Sequence, residues 1–237
     1  MNFAVILAGG VGVRVGADIP KQFIEVLGKP IMVYTLETFQ RNKLIDEIVL
    51  VCVESHIDLA KQYCKKYKID KAKTFVVGGK EFIDSCINGV NTLSGRAQES
   101  DILLITSADR PLISDEEIED SINVCKRYGC GIAARECALC MFKVDSDKTH
   151  SNEYLRKDLM QTATPWSFEY KKLKTAIEKY INLEISNCET YPIAIYAATG
   201  QQIYFSKAEP TNIKITEKYD ILLLEQILRN KSGEKYD

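Results

Sequence analysis

Histidine is almost absent from this chain of 237 residues, which contains only His56 and His150. Among its eight cysteines only Cys137 and Cys140 form a C-x-x-C pair, and no second pair or nearby histidine completes a zinc set. Most of the cysteines fall within helical or strand patterns. We therefore interpret them as small buried hydrophobic residues rather than as metal ligands or redox groups.

The sequence also has no long apolar stretch and no strong charge of either sign. No run approaches the length of a membrane span, and no basic segment followed by an apolar one marks a leader at the N-terminus. The formal net charge of -2 provides no basic field for nonspecific binding of nucleic acid. We expect a cytoplasmic protein whose anionic ligands are held by local charges.

Apolar runs alternate with amphipathic stretches along the first 135 residues. The runs have the character of buried strands: FAVILA (3–8), EIVLVCV (47–53), TFVVGG (74–79), DILLITSAD (101–109) and GIAAR (131–135). The stretches between them have helical spacing, and Ser114 with Glu117 forms a capping box before one of them. The alternation predicts an α/β fold with a mostly parallel, Rossmann-like sheet and helices on both faces. Ligands bind beyond the carboxyl ends of the strands in such sheets.

The alternation breaks between residues 136 and 163. This polar stretch contains two short pieces that resemble strands, and we interpret it as a protruding β-arm within one domain spanning 1–237. Helical spacing returns at 166–180, and TNIKIT (211–216) is predicted to be a short strand. A final helix is predicted at 219–230.

Several glycines and two basic residues follow the first strand, in AVILAGGVGVRVGADIPK (4–21). A glycine-rich loop can point successive N–H groups inward to hold an anion, and Arg14 and Lys21 add positive charge. Val15 excludes the dinucleotide fingerprint, which needs glycine there, and Walker A is excluded because no lysine follows Gly16. The stretch predicts a triphosphate cradle. A glycine-rich turn with solvated basic side chains is the alternative.

The longer stretch LAGGVGVRVGADIPKQF (7–23) resembles the opening signature of nucleotidyltransferases with a GT-A-like fold. It is most similar to the cytidylyltransferases that act on methylerythritol phosphate and ribitol phosphate. The likeness continues in VGGKEFIDSCINGV (77–90) and in the spacing between Arg156 and the Thr164–Pro165 pair. Near the C-terminus NIKIT (212–216) resembles a further motif of the family, so the likeness spans almost the whole chain.

The resemblance implies transfer of CMP from CTP to a polyol phosphate with release of pyrophosphate and with Mg²⁺ as cofactor. In-line attack by a phosphate needs positioning and charge stabilisation more than a strong base. Carried onto this chain, the catalytic residues are Arg14, Lys21 and Lys214. The nucleotide-binding residues are Ala8, Gly9, Gly10, Gly12, Arg14, Lys21, Gly79, Ser85 and Asp109. The acceptor-binding residues are Arg110, Arg156, Thr164, Thr190 and Lys214.

This chain departs from the family pattern at the metal and at the acceptor. Ser107 stands where the close family has an aspartate, so we assign the metal to Asp109, two residues before Pro111. On the acceptor side Phe82 replaces an arginine of the family and Trp166 replaces a glutamine. We therefore favour a polyol phosphate other than methylerythritol phosphate, with ribitol 5-phosphate as the first candidate.

The resemblance further implies a homodimer formed through the arm at 136–163, in which Arg156 reaches the site of the partner. A methylerythritol phosphate enzyme of isoprenoid biosynthesis is the alternative function. Another nucleotidyltransferase that makes a nucleotide sugar and an inactive homologue that only binds a nucleotide are further alternatives. The presence of Arg14, Lys21 and Lys214 argues against the inactive homologue, because a protein that only binds has little need of charges that serve the transition state.

Overall fold

The computed structural model describes residues 1–10, 19–144, 150–185 and 188–232, with the backbone alone described at 150–153 and 232. Its strands are β1 (Asn2–Ala8), β2 (Glu25–Val26), β3 (Lys29–Pro30), β4 (Glu47–Cys52), β5 (Ala72–Val77), β6 (Ile102–Ser107), β7 (Cys130–Glu136), β8 (Met141–Val144), β9 (His150–Tyr154), β10 (Met160–Glu169) and β11 (Phe205–Lys207). Its helices are α1 (Ile31–Arg41), α2 (Ile57–Lys66), α3 (Phe82–Asn91), α4 (Asp115–Tyr128), α5 (Tyr170–Ile181), α6 (Pro192–Ala198) and α7 (Lys218–Ser232).

Seven strands form the central sheet in the order β11-β7-β10-β6-β1-β4-β5. Only β10 runs antiparallel to its neighbours within this described sheet, and the other pairs are parallel. The predicted α/β fold with a mostly parallel sheet is confirmed. Because β1 lies between β6 and β4, the loops that follow these strands emerge side by side at one edge.

Helices cover both faces of the sheet because the central strands are apolar on both sides. Ala4 and Ile6 of β1 pack in a core layer with α1, α2 and α4. Phe3 and Val5 of the same strand pack on the opposite face with α3, α5 and α6. This double burial explains why the first strand has no polar residue after Asn2. Among the described residues, none of the helices has the length and apolar character needed to cross a bilayer.

The structure corrects two predicted elements in the C-terminal half. Residues 166–169 were predicted to begin a helix but form the end of β10, and α5 follows directly. Trp166 and Phe168 face one core layer, whereas Ser167 lies 2.5 Å from a serine of α4 on the other side, which is the twofold period of a strand. The predicted strand at 211–216 is irregular backbone.

The arm contains an antiparallel hairpin of β8 and β9 between β7 and β10. Residues 145–149, inside the predicted arm at 136–163, lie outside the described residues. In the described part of the arm, the exposed apolar side chains are Leu139, Met141, Phe142, Val144, Tyr154, Leu155 and Met160. The hairpin falls where the arm was predicted, and its role in dimerisation stays a prediction.

All eight cysteines are free thiols, and five of them are buried. Burial raises the pKa of Cys52 to about 11 and that of Cys64 to about 12. Both thiols pack in the core layer of α1, α2 and α4 and remain protonated at neutral pH.

Candidate active site

A cavity of about 350 Å³ opens at the carboxyl edge of the sheet, beyond β1 and β6. Loops that follow β1, β5 and β6 line it together with the start of α3 and the segment before α7. It brings together seven of the predicted site residues, namely Gly9, Gly10, Lys21, Gly79, Ser85, Asp109 and Lys214. Residues far apart in sequence meet here because parallel strands end at the same edge of the sheet.

Lys21 and Asp109 form a buried ion pair in the wall of this cavity. The Nζ atom of Lys21 lies 2.6 Å from Oδ2 of Asp109 and donates to the carbonyl of Ile215 at 2.6 Å. The Oδ1 atom of Asp109 accepts a hydrogen bond of 2.5 Å from the hydroxyl of Ser107. Buried charges are retained only where partners satisfy them. The pair therefore fixes a cation and a carboxylate side by side.

Gln22 holds the backbone that leads out of β1. Its Nε2 atom donates to the carbonyl of Ala8 at 2.6 Å and to that of Gly10 at 3.0 Å. The side chain of Ala8 is buried and contributes to the core rather than to the cavity. The sequence motif that contains Gln22 assigned it no role. Gln22 locks the start of the glycine loop against the single helical turn that carries Lys21.

Gly79 packs tightly against the first turn of α3. A Cβ atom at residue 79 would lie 2.1 Å from Cβ of Asp84, so a larger residue would displace the helix. The hydroxyl of Ser85 accepts from the Gly79 N–H at 3.0 Å and donates to the carbonyl of Glu81 at 3.3 Å. Both residues line the cavity. Both also stabilise the turn into α3, Gly79 by its close packing and Ser85 by its hydrogen bonds.

Lys214 and Thr216 reach the cavity from the irregular segment 212–216. The N–H of Ile215 donates to the carbonyl of Asp109 at 2.9 Å. Together with the bond from Lys21 to the Ile215 carbonyl, this contact fastens the segment across the end of β6. The side chain of Lys214 thus stands on a backbone that other residues hold in place.

Asp220 fixes the other end of that segment. It accepts from the N–H and the hydroxyl of Thr216 at 2.6 and 2.8 Å, and from the N–H of Glu217 at 2.8 Å. Burial by itself would raise the pKa of Asp220, but these hydrogen bonds and the charge of Lys21 bring it below its ordinary value. A carboxylate therefore stays ionised close enough to Lys21 for the two charges to interact.

Arg110 is adjacent to this cluster but does not line the cavity. Its Nη1 atom donates to the backbone carbonyl of Asn212 at 2.9 Å and to Oδ1 of that residue at 3.3 Å. Burial lowers the pKa of Arg110, and the charges of Asp109 and Glu117 oppose that shift. Its Nε atom is buried and has no partner in the described chain. A ligand oxygen is the kind of group that satisfies such a donor.

An aromatic cluster stands beside the cavity on the side of β10. Phe82 lines the cavity, and its ring centroid lies 6.2 Å from that of Trp166 and 5.5 Å from that of Tyr191. Two residues before Trp166, the hydroxyl of Thr164 is buried and lies 2.6 Å from the hydroxyl of Thr106. The aromatic rings of Phe82 and Trp166 thus occupy positions where the family that this sequence resembles has an arginine and a glutamine.

Five predicted residues that the structure describes do not line this cavity, namely Ala8, Arg110, Arg156, Thr164 and Thr190. Arg156 lies on the arm, where its Nη1 atom donates to the carbonyl of Ala138 at 3.2 Å. Thr190 is exposed just before α6. Gly12 and Arg14 lie outside the described residues. The structure therefore assembles the lysine and carboxylate part of the predicted site, and it leaves the arm residue apart from it.

The side chains at the end of β6 suit a magnesium ion that arrives with a nucleotide. Across the described residues, no three histidine, cysteine, aspartate or glutamate side chains gather into a metal cluster. Asp109 offers one carboxylate with the hydroxyl of Ser107 beside it. Mg²⁺ is commonly held by one or two carboxylates, waters and substrate phosphates. This donor set fits that arrangement.

The chain matches a known family over nearly its whole length. The profile of the family described as IspD, 2-C-methyl-D-erythritol 4-phosphate cytidylyltransferase, matches residues 2–230. A ribitol-5-phosphate cytidylyltransferase of Lacticaseibacillus paracasei is 35% identical over 233 residues, which cover 98% of this chain and 99% of that protein. A 2-C-methyl-D-erythritol 4-phosphate cytidylyltransferase of Clostridium kluyveri is 35% identical over 233 residues, which cover 96% of each chain.

The fold also matches a solved structure. The crystal structure of 4-diphosphocytidyl-2C-methyl-D-erythritol synthase from Anaerococcus prevotii superposes with a TM-score of 0.83 at 26% identity. The superposition covers 97% of this chain and 98% of that one. The mixed sheet with its antiparallel β10 is thus an architecture already seen in a solved protein.

Proposed function

Because this chain belongs to the 2-C-methyl-D-erythritol 4-phosphate cytidylyltransferase family, we propose that it transfers CMP from CTP to ribitol 5-phosphate, giving CDP-ribitol and pyrophosphate. The chain is a cytidylyltransferase, as both named relatives are. The observation that carries the proposal is the cavity that gathers Lys21, Asp109 and Lys214 at the carboxyl edge of the sheet.

An oxygen of the acceptor phosphate attacks the α-phosphorus of CTP. A new P–O bond forms while the bond from the α-phosphorus to the bridging oxygen breaks, and pyrophosphate leaves with that electron pair. A phosphate monoester is already nucleophilic, so the protein needs to supply position and positive charge rather than a base. We assign this charge to Lys21 and Lys214, with Arg14 as the third cation.

The nucleotide would lie along the backbone of Gly9 and Gly10 and against Gly79 and Ser85. Gly12, which lies outside the described residues, stays a proposed nucleotide-binding residue. Ala8 would contribute its backbone, since its side chain is buried in the core. On binding, Lys21 exchanges its contact with Asp109 for a phosphate oxygen. This exchange frees one carboxylate oxygen of Asp109, which we propose as the protein ligand of Mg²⁺. The chemistry that Mg²⁺ would supply there is to offset negative charge on the phosphate oxygens.

The acceptor is assigned from the departures in its half of the site. Sequence identity does not decide it, because the ribitol phosphate and methylerythritol phosphate relatives are both 35% identical. Phe82 and Trp166 replace polar residues of the methylerythritol phosphate pattern, and this favours a different polyol phosphate. Methylerythritol phosphate is the second candidate, supported by the family profile. The residues proposed to bind the acceptor are Arg110, Arg156, Thr164, Thr190 and Lys214.

We further propose a cytoplasmic homodimer in which the arm lies against a second copy of the chain. The apolar side chains exposed on the arm support an interface there. The position of Arg156 on the arm, away from the cavity of its own chain, supports its action at the site of the partner.

The test is pyrophosphate release from CTP and Mg²⁺ with a panel of acceptors. The panel contains the phosphates of ribitol, methylerythritol, erythritol and glycerol together with sugar phosphates, each repeated with UTP, ATP and GTP. We expect release with CTP and ribitol 5-phosphate. Release with methylerythritol phosphate alone would select the second candidate. If no acceptor gives pyrophosphate release although CTP still binds, the proposal is contradicted.

A further inference from the structure

Asn212 joins three elements close to the segment that carries Lys214. Its Nδ2 atom donates to the carbonyl of Thr164 in β10 at 2.7 Å and to Oε1 of Glu117 in α4 at 2.9 Å. Its carbonyl and Oδ1 accept from Arg110, which follows β6. Asn212 is buried and uses both ends of its amide. One side chain therefore sets the distance between β10, α4 and the loop after β6.

Glu117 is the anchor for this amide. The residue is fully buried, and its Oε1 atom accepts from Asn212 and from the N–H of Glu209 at 2.8 Å. Its Oε2 atom accepts from the N–H of Ser114 at 2.9 Å and completes the capping box of α4. A helix cap alone does not require a buried carboxylate, which costs free energy unless hydrogen bonds satisfy it. The Oε1 atom, which takes no part in the cap, therefore serves to hold Asn212 and the backbone at Glu209.

The segment that starts at Asn212 carries the candidate catalytic lysine two residues later. Its path is fixed by Glu117 and Arg110 at residue 212 and by Lys21 and Asp109 at residue 215. Without the contacts at residue 212, the backbone that carries Lys214 would keep the second attachment, the bonds of Asp220 and the packing of Ile215, but would lose its anchor on the N-terminal side. A displacement of about 1 Å at a reacting group can cost about 100-fold in rate.

We propose that Asn212 and Glu117 are positioning residues that set the place of Lys214 and of Arg110 for transfer of the cytidylyl group. The inference rests on the proposed function, since Lys214 and Arg110 take their roles from it. Neither Asn212 nor Glu117 lines the cavity, so both act through the groups that they hold.

The experiment compares Asn212→Asp and Glu117→Gln with a matched control. Asn212→Asp keeps the acceptor for Arg110 but removes both donated hydrogen bonds and sets a second carboxylate against Glu117. Glu117→Gln is the milder change, which removes the charge and leaves the acceptor for Asn212. The control is Glu47→Gln, because Glu47 is a buried carboxylate of β4 with hydrogen bonds from Arg96 and Thr74 and does not line the cavity.

We expect kcat to fall about 100-fold in Asn212→Asp and about tenfold in Glu117→Gln, while the KM for CTP changes less than about threefold. Glu47→Gln should lower Tm as much as Glu117→Gln does and leave kcat within about twofold of wild type. A kcat in Asn212→Asp and Glu117→Gln that matches wild type, or that falls only as far as in Glu47→Gln, would overturn the inference.

Hydrogen exchange separates this inference from the proposed function. The amides of residues 209–217 should exchange faster in Asn212→Asp and Glu117→Gln and at the wild-type rate in Glu47→Gln. If the wild-type protein releases no pyrophosphate with any acceptor, the proposed function fails, and exchange alone then tests the placement of the segment. Unchanged exchange in these amides would overturn the inference whatever the activity. Should Asn212→Asp not fold, Glu117→Gln carries both measurements.

Discussion

The cavity edge and the arm present their candidate residues in opposite ways. At the cavity edge Lys21 and Asp109 are 8% and 6% exposed and are held by one another, by Ser107 and by the carbonyl of Ile215. On the arm Arg156 is exposed and is held by one carbonyl among the contacts described. The first region is organised before any ligand arrives, whereas the described part of the second exposes its arginine and several apolar side chains.

This difference separates two kinds of contribution to one reaction. Buried charges that hydrogen bonds hold in place stabilise developing charge with little reorganisation once the substrate is bound, which is what a transferring phosphoryl group requires. An exposed arginine on a hairpin suits recognition of an incoming phosphate instead. We therefore expect changes at the cavity edge to affect kcat and changes on the arm to affect the KM for the acceptor.

The largest effect is expected for Lys21→Ala. Loss of this cation should reduce kcat about 10³-fold with a much smaller change in the KM for CTP. The substitution also leaves the Asp109 carboxylate buried without its partner, so stability to urea should fall by about 3 kcal/mol. Lys29→Ala is the control, because it breaks the half-exposed pair with Glu37 and should cost less than about 1 kcal/mol. Nearly normal turnover in Lys21→Ala would contradict the assignment.

Lys214→Ala tests whether a cavity lysine can serve the reaction without supporting the fold, in contrast to Lys21. Its side chain is exposed, so kcat should fall about 100-fold while stability to urea stays close to that of wild type. Steady-state kinetics and urea unfolding measure the two quantities on the same preparation. A loss of stability as large as that of Lys21→Ala would show that Lys214 supports the fold rather than the reaction.

Asp109→Asn tests the metal ligand against its neighbour. We expect the Mg²⁺ concentration for half-maximal rate to rise about tenfold in Asp109→Asn and about twofold in Ser107→Ala. The carboxylate binds the ion directly in our proposal, whereas the serine hydroxyl only orients it. A Mg²⁺ titration at saturating CTP makes the comparison, and a larger effect in Ser107→Ala would reverse the assignment.

Arg156→Ala should have the smallest effect on catalysis, and that effect should be confined to binding of the acceptor phosphate. We expect the KM for the acceptor phosphate to rise about tenfold, with kcat and the KM for CTP nearly unchanged, because one charged hydrogen bond is lost. If Arg156 acts in the partner's site, mixing the Arg156→Ala and Lys214→Ala chains creates one intact site per mixed dimer. Activity above the sum of the two variants is the expected result, and no gain on mixing would place Arg156 in its own chain.

Local sequence patterns were sufficient for the first half of the fold and for part of the site. The run of buried strands from FAVILA to GIAAR followed from continuous apolar stretches, since a strand covered on both faces needs apolar residues at every position. Lys21, Gly79 and Asp109 were named from motifs that resemble the family. The strand pattern predicted that the loops carrying them meet, because parallel strands end at one edge of the sheet.

Tertiary structure alone decided two elements of the C-terminal half and the way in which the site is held. Residues 166–169 form a strand because β6 and β7 pair with them, although the pattern that follows is helical. The sequence reveals Glu117 as a helix cap, but its second oxygen meets Asn212, which is 95 residues away along the chain. Local pattern reports which face of an element is apolar, and only packing determines which buried polar groups meet.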